Sequence, residues 1–141
     1  QVQRAAVAAH DALDRGQAEP AEVLVVDDED VVRLALARIL ERYGYACLAV
    51  GSGAEAVAAV AAAPTRFRLI MLDLTMPDQG GEHHLAAVRA IVPDLRVLVM
   101  SGYTEDEVDS RFVDAKPDGF MQKPVGAPGV LRAVRAILGQ A

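Results

Sequence analysis

This sequence predicts an α/β domain built on an open, parallel, doubly wound sheet. Three observations carry that expectation. Short apolar runs alternate with helical patterns from residue 22 to residue 138. The runs are rich in Val, Leu and Ile and lack polar alternation, as strands buried on both faces do. The acidic, hydroxyl and ammonium side chains that could do chemistry stand where those runs stop, and ligands of open α/β sheets bind outside the carboxyl ends of the strands.

The expected strands are Glu22–Val26, Ala46–Val50, Arg68–Leu72, Leu95–Met100 and Gly119–Gln122. The helix expected over Asp30–Arg42 carries Val32, Leu36, Ile39 and Leu40 at helical spacing. Ala54–Ala62 is an Ala/Val helix after the turn Gly51-Ser52-Gly53, which lacks the Lys-Ser/Thr of a phosphate loop. Gly81–Val92 places Leu85, Val88, Ile91 and Val92 on one face. Thr104–Val113 is a weaker apolar helix with Thr104 as its N-cap, and Pro117 leaves its end and following loop unsettled. Gly126–Leu138 has Val130, Leu131, Val134, Ile137 and Leu138 on one stripe, with Arg132 and Arg135 off it. Residues 1–20 differ: an Ala-rich, helix-capable stretch is broken by Gly16 to Pro20, and is expected to be a linker or upstream helical tail ahead of a domain over 21–141. His10, beside Asp11, is expected to be an exposed residue of that tail, because the segment is too short to build a partner domain.

Composition excludes several classes. The chain of 141 residues is 52% hydrophobic, enough for one domain with a real core. Its net charge of −6 argues against non-specific binding of nucleic acid or anionic membrane. Aromatics are 4% with no Trp, so no stacking platform for bases is evident. The single cysteine, Cys47, rules out an internal disulfide and is expected to be a small core residue. No apolar stretch approaches the ~20 residues of a membrane span, and no signal peptide opens the chain. The expectation is a cytoplasmic domain with no membrane contact of its own.

Asp73 is the most informative residue. It closes the apolar run Leu69-Ile70-Met71-Leu72 and opens a Pro-containing turn. An ionised side chain beside a core costs several kcal/mol, roughly, unless something offsets it. Val23-Leu24-Val25-Val26 ends the same way, in Asp27-Asp28. Three converging carboxylates repel, so at least one pKa should rise unless a cation is bound. The fourth run ends in Ser101-Gly102, and the fifth in Phe120-Met121-Gln122-Lys123-Pro124. Taken alone, each motif has an ordinary explanation. Asp27-Asp28 can favour a helix dipole, Ser101-Gly102 can be a turn, Lys123 can be a solvated lysine and Phe120 can be core.

In order, each at a strand end, these motifs resemble the receiver domain of two-component response regulators over roughly residues 22–139. The resemblance implies a flavodoxin-like sheet with strand order 2-1-3-4-5. It implies Asp73 as phosphoacceptor, charged by a histidine kinase or a histidine phosphotransfer domain. It implies Mg²⁺, or Mn²⁺ in its place, held directly by Asp28, mostly through water by Asp27, and by Asp73 and the backbone carbonyl of Thr75. Ser101 becomes the switch hydroxyl, Lys123 the partner of the phosphoryl group, and Phe120 the aromatic that reports the switch; the Lys123–Pro124 bond becomes cis. Such a module is not an enzyme, although it assists its own phosphorylation and dephosphorylation.

This sequence also has particular features. Tyr103, two residues after Ser101, is a bulky group expected to shield an acyl phosphate from water, and Thr75 holds the matching position after Asp73. Val125 stands where an aromatic is common. The wording Val97-Leu98-Val99-Met100-Ser101-Gly102-Tyr103-Thr104, with no output domain after Leu138, resembles receivers at the C-terminal end of hybrid histidine kinases. The charges Glu105, Asp106, Asp118, Arg132 and Arg135 do not decide whether the last two helical segments support a weak homodimer. Three other classes compete. A haloacid-dehalogenase-type phosphohydrolase wants Asp-x-Asp after the first strand, and here the acids are adjacent. A flavodoxin-like binding module wants a Ser/Thr/Gly loop where Asp27-Asp28-Glu29-Asp30 stands. A degenerate, purely structural receiver would lack site residues that this chain has. His83 and His84 are sequence neighbours at a helix start and cannot face the same way, so they are not expected to form a metal pair.

Overall fold

The structure is a computed structural model that describes residues 22–74, 81–102, 104, 106–107, 116–123 and 126–139. Strands β1 (Glu22–Val26), β2 (Ala46–Val50), β3 (Phe67–Asp73), β4 (Arg96–Ser101) and β5 (Gly119–Gln122) form one sheet in the order β2-β1-β3-β4-β5. All neighbours are parallel. The helices among the described residues are α1 (Asp30–Arg42), α2 (Gly53–Ala62), α3 (Gly81–Ile91) and α4 (Ala127–Leu138). The expected tail over 1–20, with His10, lies outside the described residues, as does most of the helix expected over 104–113. Its start is visible as a reciprocal cap: Thr104 Oγ1 accepts from the Glu107 N–H at 3.3 Å while Glu107 Oε1 accepts from the Thr104 N–H at 3.2 Å.

Alternate strand residues feed two separate cores, which is what makes the sheet doubly wound. Leu24, Val26, Ile70, Leu72, Val97 and Val99 pack with Ala56 and Val60 of α2 and Leu85 and Val88 of α3. Val23, Val25, Leu69, Met71, Leu98, Met100 and Met121 pack with Leu36, Ala37 and Leu40 of α1 and Val130 and Val134 of α4. Cys47 belongs to this second core, where burial pushes its thiol up to about 12. A thiol held protonated there behaves as a small hydrophobe.

Local chemistry sets the helix entries. Ser52 caps α2, its Oγ accepting from the Glu55 N–H at 3.1 Å. A Cβ on Gly53 would fall 2.2 Å from the His84 ring, so only glycine lets the first turn of α2 approach α3 there. His84 is buried and His83 exposed, their rings edge-to-face, as adjacent helical positions require. At the far edge of the sheet, the fully buried Glu22 is gripped by Arg66, with Nε–Oε1 and Nη2–Oε2 both at 2.9 Å.

Candidate functional site

Strand register brings the acids together. Val26 pairs with Leu72, so the next residues, Asp27 and Asp73, stand side by side at the carboxyl edge. Both are fully buried. They continue the alternate positions of the α1/α4 face, after Val23 and Val25 on one strand and Leu69 and Met71 on the other. Lys123 follows Met121 on the same face by the same parity. Its N–H donates to the Ser101 C=O at 2.8 Å, extending the β4–β5 ladder by one residue.

That extension delivers the ammonium to the acids. Lys123 Nζ lies 3.2 Å from Asp27 Oδ2, 3.2 Å from Asp73 Oδ2 and 3.5 Å from Glu29 Oε1. Asp27 is also fixed locally: its N–H donates to Val50 C=O at 3.2 Å, and its Oδ1 accepts from the Glu29 N–H at 2.9 Å. Burial is the main reason the Asp27 carboxyl sits above its usual range; the Glu29 N–H pulls it down, the Asp73 charge raises it and Lys123 lowers it. So the expected rise falls on Asp27, with burial ahead of repulsion. Burial lowers the Lys123 ammonium, but the charges of Asp73 and Asp27 outweigh it and leave Lys123 above its ordinary value.

One oxygen each from Asp27, Glu29 and Asp73 lies within 4.8 Å of the others. Three carboxylates face one ammonium there, and all the donors are hard oxygens, so the cluster fits a divalent cation of the Mg²⁺ type. Glu29 was not among the residues expected to take part. It is the N-cap residue of α1, two positions on from Asp27. Four consecutive acids running into the start of a helix were legible, but which of them come together depends on how the loop bends. Asp28 is exposed and is not part of this three-residue cluster.

Ser101 is fully buried as the last residue of β4, on the parity of Val97 and Val99 rather than that of the acids. Phe120 is half-buried and packs on that same α2/α3 side of the sheet. Thr75, Tyr103 and Pro124, and with Pro124 the expected cis bond, lie outside the described residues.

The family model described as "Response regulator receiver domain" matches residues 23–135. The chain is 30% identical to the sensor kinase CckA of Brucella abortus (strain 2308) over 118 residues, which is 84% of this chain and 12% of that protein. It is 32% identical to the probable transcriptional regulatory protein TcrX of Mycobacterium tuberculosis over 128 residues, 89% of this chain and 53% of that protein. Among solved structures, a response regulator from Burkholderia pseudomallei with a phosphorylated aspartic acid and a calcium ion superimposes with a TM-score of 0.71 at 32% identity. The match covers 80% of this chain and 65% of that one. The fold, the strand-end chemistry and these matches define a phosphoacceptor module of two-component signalling. The chain belongs to the response regulator receiver domains. It spans 12% and 53% of the lengths of the two named relatives.

Proposed function

We propose that Asp73 accepts a phosphoryl group from a phosphohistidine in a Mg²⁺-dependent step, and that the domain then switches conformation or hands the group on. The carrying observation is the buried Asp73 carboxylate, with the Lys123 ammonium 3.2 Å away and Asp27 paired to the same ammonium. A carboxylate oxygen of Asp73 attacks phosphorus as the bond from phosphorus to the imidazole nitrogen breaks, giving an acyl phosphate. Phosphoryl transfer asks for positioning and charge neutralisation more than covalent help. Mg²⁺, or Mn²⁺, would supply that neutralisation. Asp27, Asp28, Asp73 and the Thr75 carbonyl would hold it, with Glu29 in the same group of oxygens. Lys123 leaves its carboxylates for the phosphoryl oxygens as a point charge. Ser101 would donate its hydroxyl to those oxygens once they arrive, and an interaction made only with the phosphoryl group is what shifts a two-state equilibrium. Phe120, on the Ser101 side of the sheet, follows that shift.

The donor histidine belongs to a kinase or a phosphotransfer domain. The surface beside Lys123 suits a protein partner: a groove of about 470 Å³ is lined by Val31, Val32, Ala35 and Ile39 of α1 and by Lys123 itself, and Val31 is 81% exposed. Residues 21–141 form the receiver and 1–20 its linker, in a cytoplasmic protein that is either a stand-alone regulator or the receiver of a hybrid kinase. No helix among the described residues is long and apolar enough to cross a membrane. The test is intact-mass spectrometry after incubation with Mg²⁺ and acetyl phosphate, beside Asp73→Asn. One alkali-labile phosphoryl adduct, absent from the variant, is expected. If small donors and a beryllofluoride titration both leave the parent unmodified and unbound, the chain is a structural receiver instead.

A further inference from the structure

Asp27 is engaged at each of its polar groups. Its N–H goes to Val50, its Oδ1 to the Glu29 N–H and its Oδ2 to Lys123. The last group, its backbone carbonyl, accepts from Arg33 Nη1 at 2.7 Å. Pairing of β1 with β2 extends only as far as the Asp27 N–H, so this carbonyl lies beyond the ladder. A buried carbonyl there needs a partner, and a side chain from the second turn of α1 supplies it.

We propose that Arg33 is a positioning residue for the cation site: by anchoring the Asp27–Asp28 peptide it sets the directions of both acids. A peptide unit is planar and rigid. Holding its carbonyl therefore fixes the orientation of the Asp28 N–H and Cα as well. The bond is charge-assisted, which makes it among the stronger anchors available. Arg33 is itself restrained from two sides. Its Nη2 pairs with Asp30, one turn back on α1. Its Nη1 occupies space that a Cβ on Gly51 would approach to 3.1 Å. The loop after β1, the first turns of α1 and the turn after β2 thus meet at one guanidinium, whose side chain is 24% exposed.

The sign of the effect separates this role from simple electrostatics. A guanidinium near an acid cluster repels a second cation, so a through-space effect alone predicts tighter Mg²⁺ binding once Arg33 is removed. Positioning predicts the opposite. Groups that orient metal ligands change metal affinity by about 10- to 100-fold when removed.

The inference rests on the Mg²⁺ site proposed above, and the experiment distinguishes the two. Mg²⁺ is titrated by calorimetry and by the amide shift of Asp28, well below the unfolding temperature, into the parent, Arg33→Ala, Arg33→Lys and Gly51→Ala. Arg33→Ala is expected to weaken binding about tenfold. Arg33→Lys, which keeps the charge but loses the planar fork, should fall between the two. Gly51→Ala, which leaves Arg33 in place but crowds it, should also weaken binding. Unchanged or tighter binding in Arg33→Ala overturns the inference while leaving the cation site standing. A parent that binds no Mg²⁺ overturns both. If Arg33→Ala does not fold, Arg33→Lys and Gly51→Ala decide, and parental affinity in both overturns it.

Discussion

Replacing Lys123 with methionine keeps most of the side-chain volume and removes the ammonium that sits 3.2 Å from both Asp27 and Asp73. The two carboxylates are fully buried, and the lysine side chain is only 16% exposed, so screening by solvent is weak. Removing one partner of a buried ion pair costs about 3–5 kcal/mol, because it leaves an uncompensated charge. The lower end applies, since Asp27 already sits above the usual carboxylate range and can take up a proton. For a domain of this size about 3 kcal/mol lowers the unfolding temperature by roughly 10 °C. The assay is thermal unfolding followed by circular dichroism, in chelator, across a pH series. An aspartate whose folded pKa is raised favours the fold below its unfolded pKa, and that contribution is lost as pH rises through the folded value. The deficit of Lys123→Met should therefore be largest at neutral pH and shrink as the pH falls into the carboxylate range. Added Mg²⁺ should return stability, about 2.7 kcal/mol at a hundredfold excess over its dissociation constant. It should raise the variant more than the parent, whose ammonium competes for the same oxygens. A variant as stable as the parent in chelator, or one no more responsive to Mg²⁺, would refute the reasoning.

Gly53→Ala should destabilise by about 1–3 kcal/mol, an overpacking cost, because its Cβ would meet the His84 ring at 2.2 Å. Denaturant unfolding of Gly53→Ala with His84→Ala should show less than the sum of the two single losses, and strict additivity would count against the contact. Arg66→Met strands the buried Glu22 carboxylate and should cost about 3 kcal/mol at neutral pH in the same assay. It lies at the opposite edge of the sheet, so the yield of phosphoryl adduct in folded protein should not change. Tyr103→Ala should shorten the half-life of the acyl phosphate, read from adduct decay; an unchanged half-life removes the shielding role given to Tyr103.

The sequence made the strands readable because a strand buried on both faces has no polar positions to disguise it. The residue that stops each run is then the anomaly that marks the site. Asp73 and Ser101 closed their runs in the sequence and are the last residues of β3 and β4 in the structure. The helix starts were less sharp: α2 begins at Gly53 rather than Ala54, because Ser52 caps the turn before it. Glu29, Arg33 and the Glu22–Arg66 pair were not legible as functional or structural partners. Each depends on a contact between segments far apart in sequence or on the bend of one loop. The span from Glu22 to Arg66, for example, is closed only by the β1–β3 register, which sets Glu22 opposite Phe67. Charge runs give no such register by themselves. Nothing in Asp27-Asp28-Glu29-Asp30 tells which acid will be buried until the parity of Val23 and Val25 is known to continue through Asp27.

That parity also separates the two halves of the proposed switch. Asp27, Asp73 and Lys123 continue the α1/α4 face, whereas Ser101 continues the other face, where Phe120 packs. The acceptor and its charge partners thus lie on one side of the sheet edge and the hydroxyl and aromatic on the other. On the proposed mechanism a phosphoryl group on Asp73 would stand at the edge itself, and the side chain of Ser101 would reach it by moving around the end of β4. Lys123 is bonded through its N–H to the Ser101 carbonyl, so β4 and β5 are coupled at the point where this movement starts. On this argument Ser101→Ala should leave the rate of adduct formation within a few-fold of the parent and abolish the shift of Phe120 ring resonances that beryllofluoride induces. A Phe120 response that survives Ser101→Ala would show that the coupling runs through Lys123 instead.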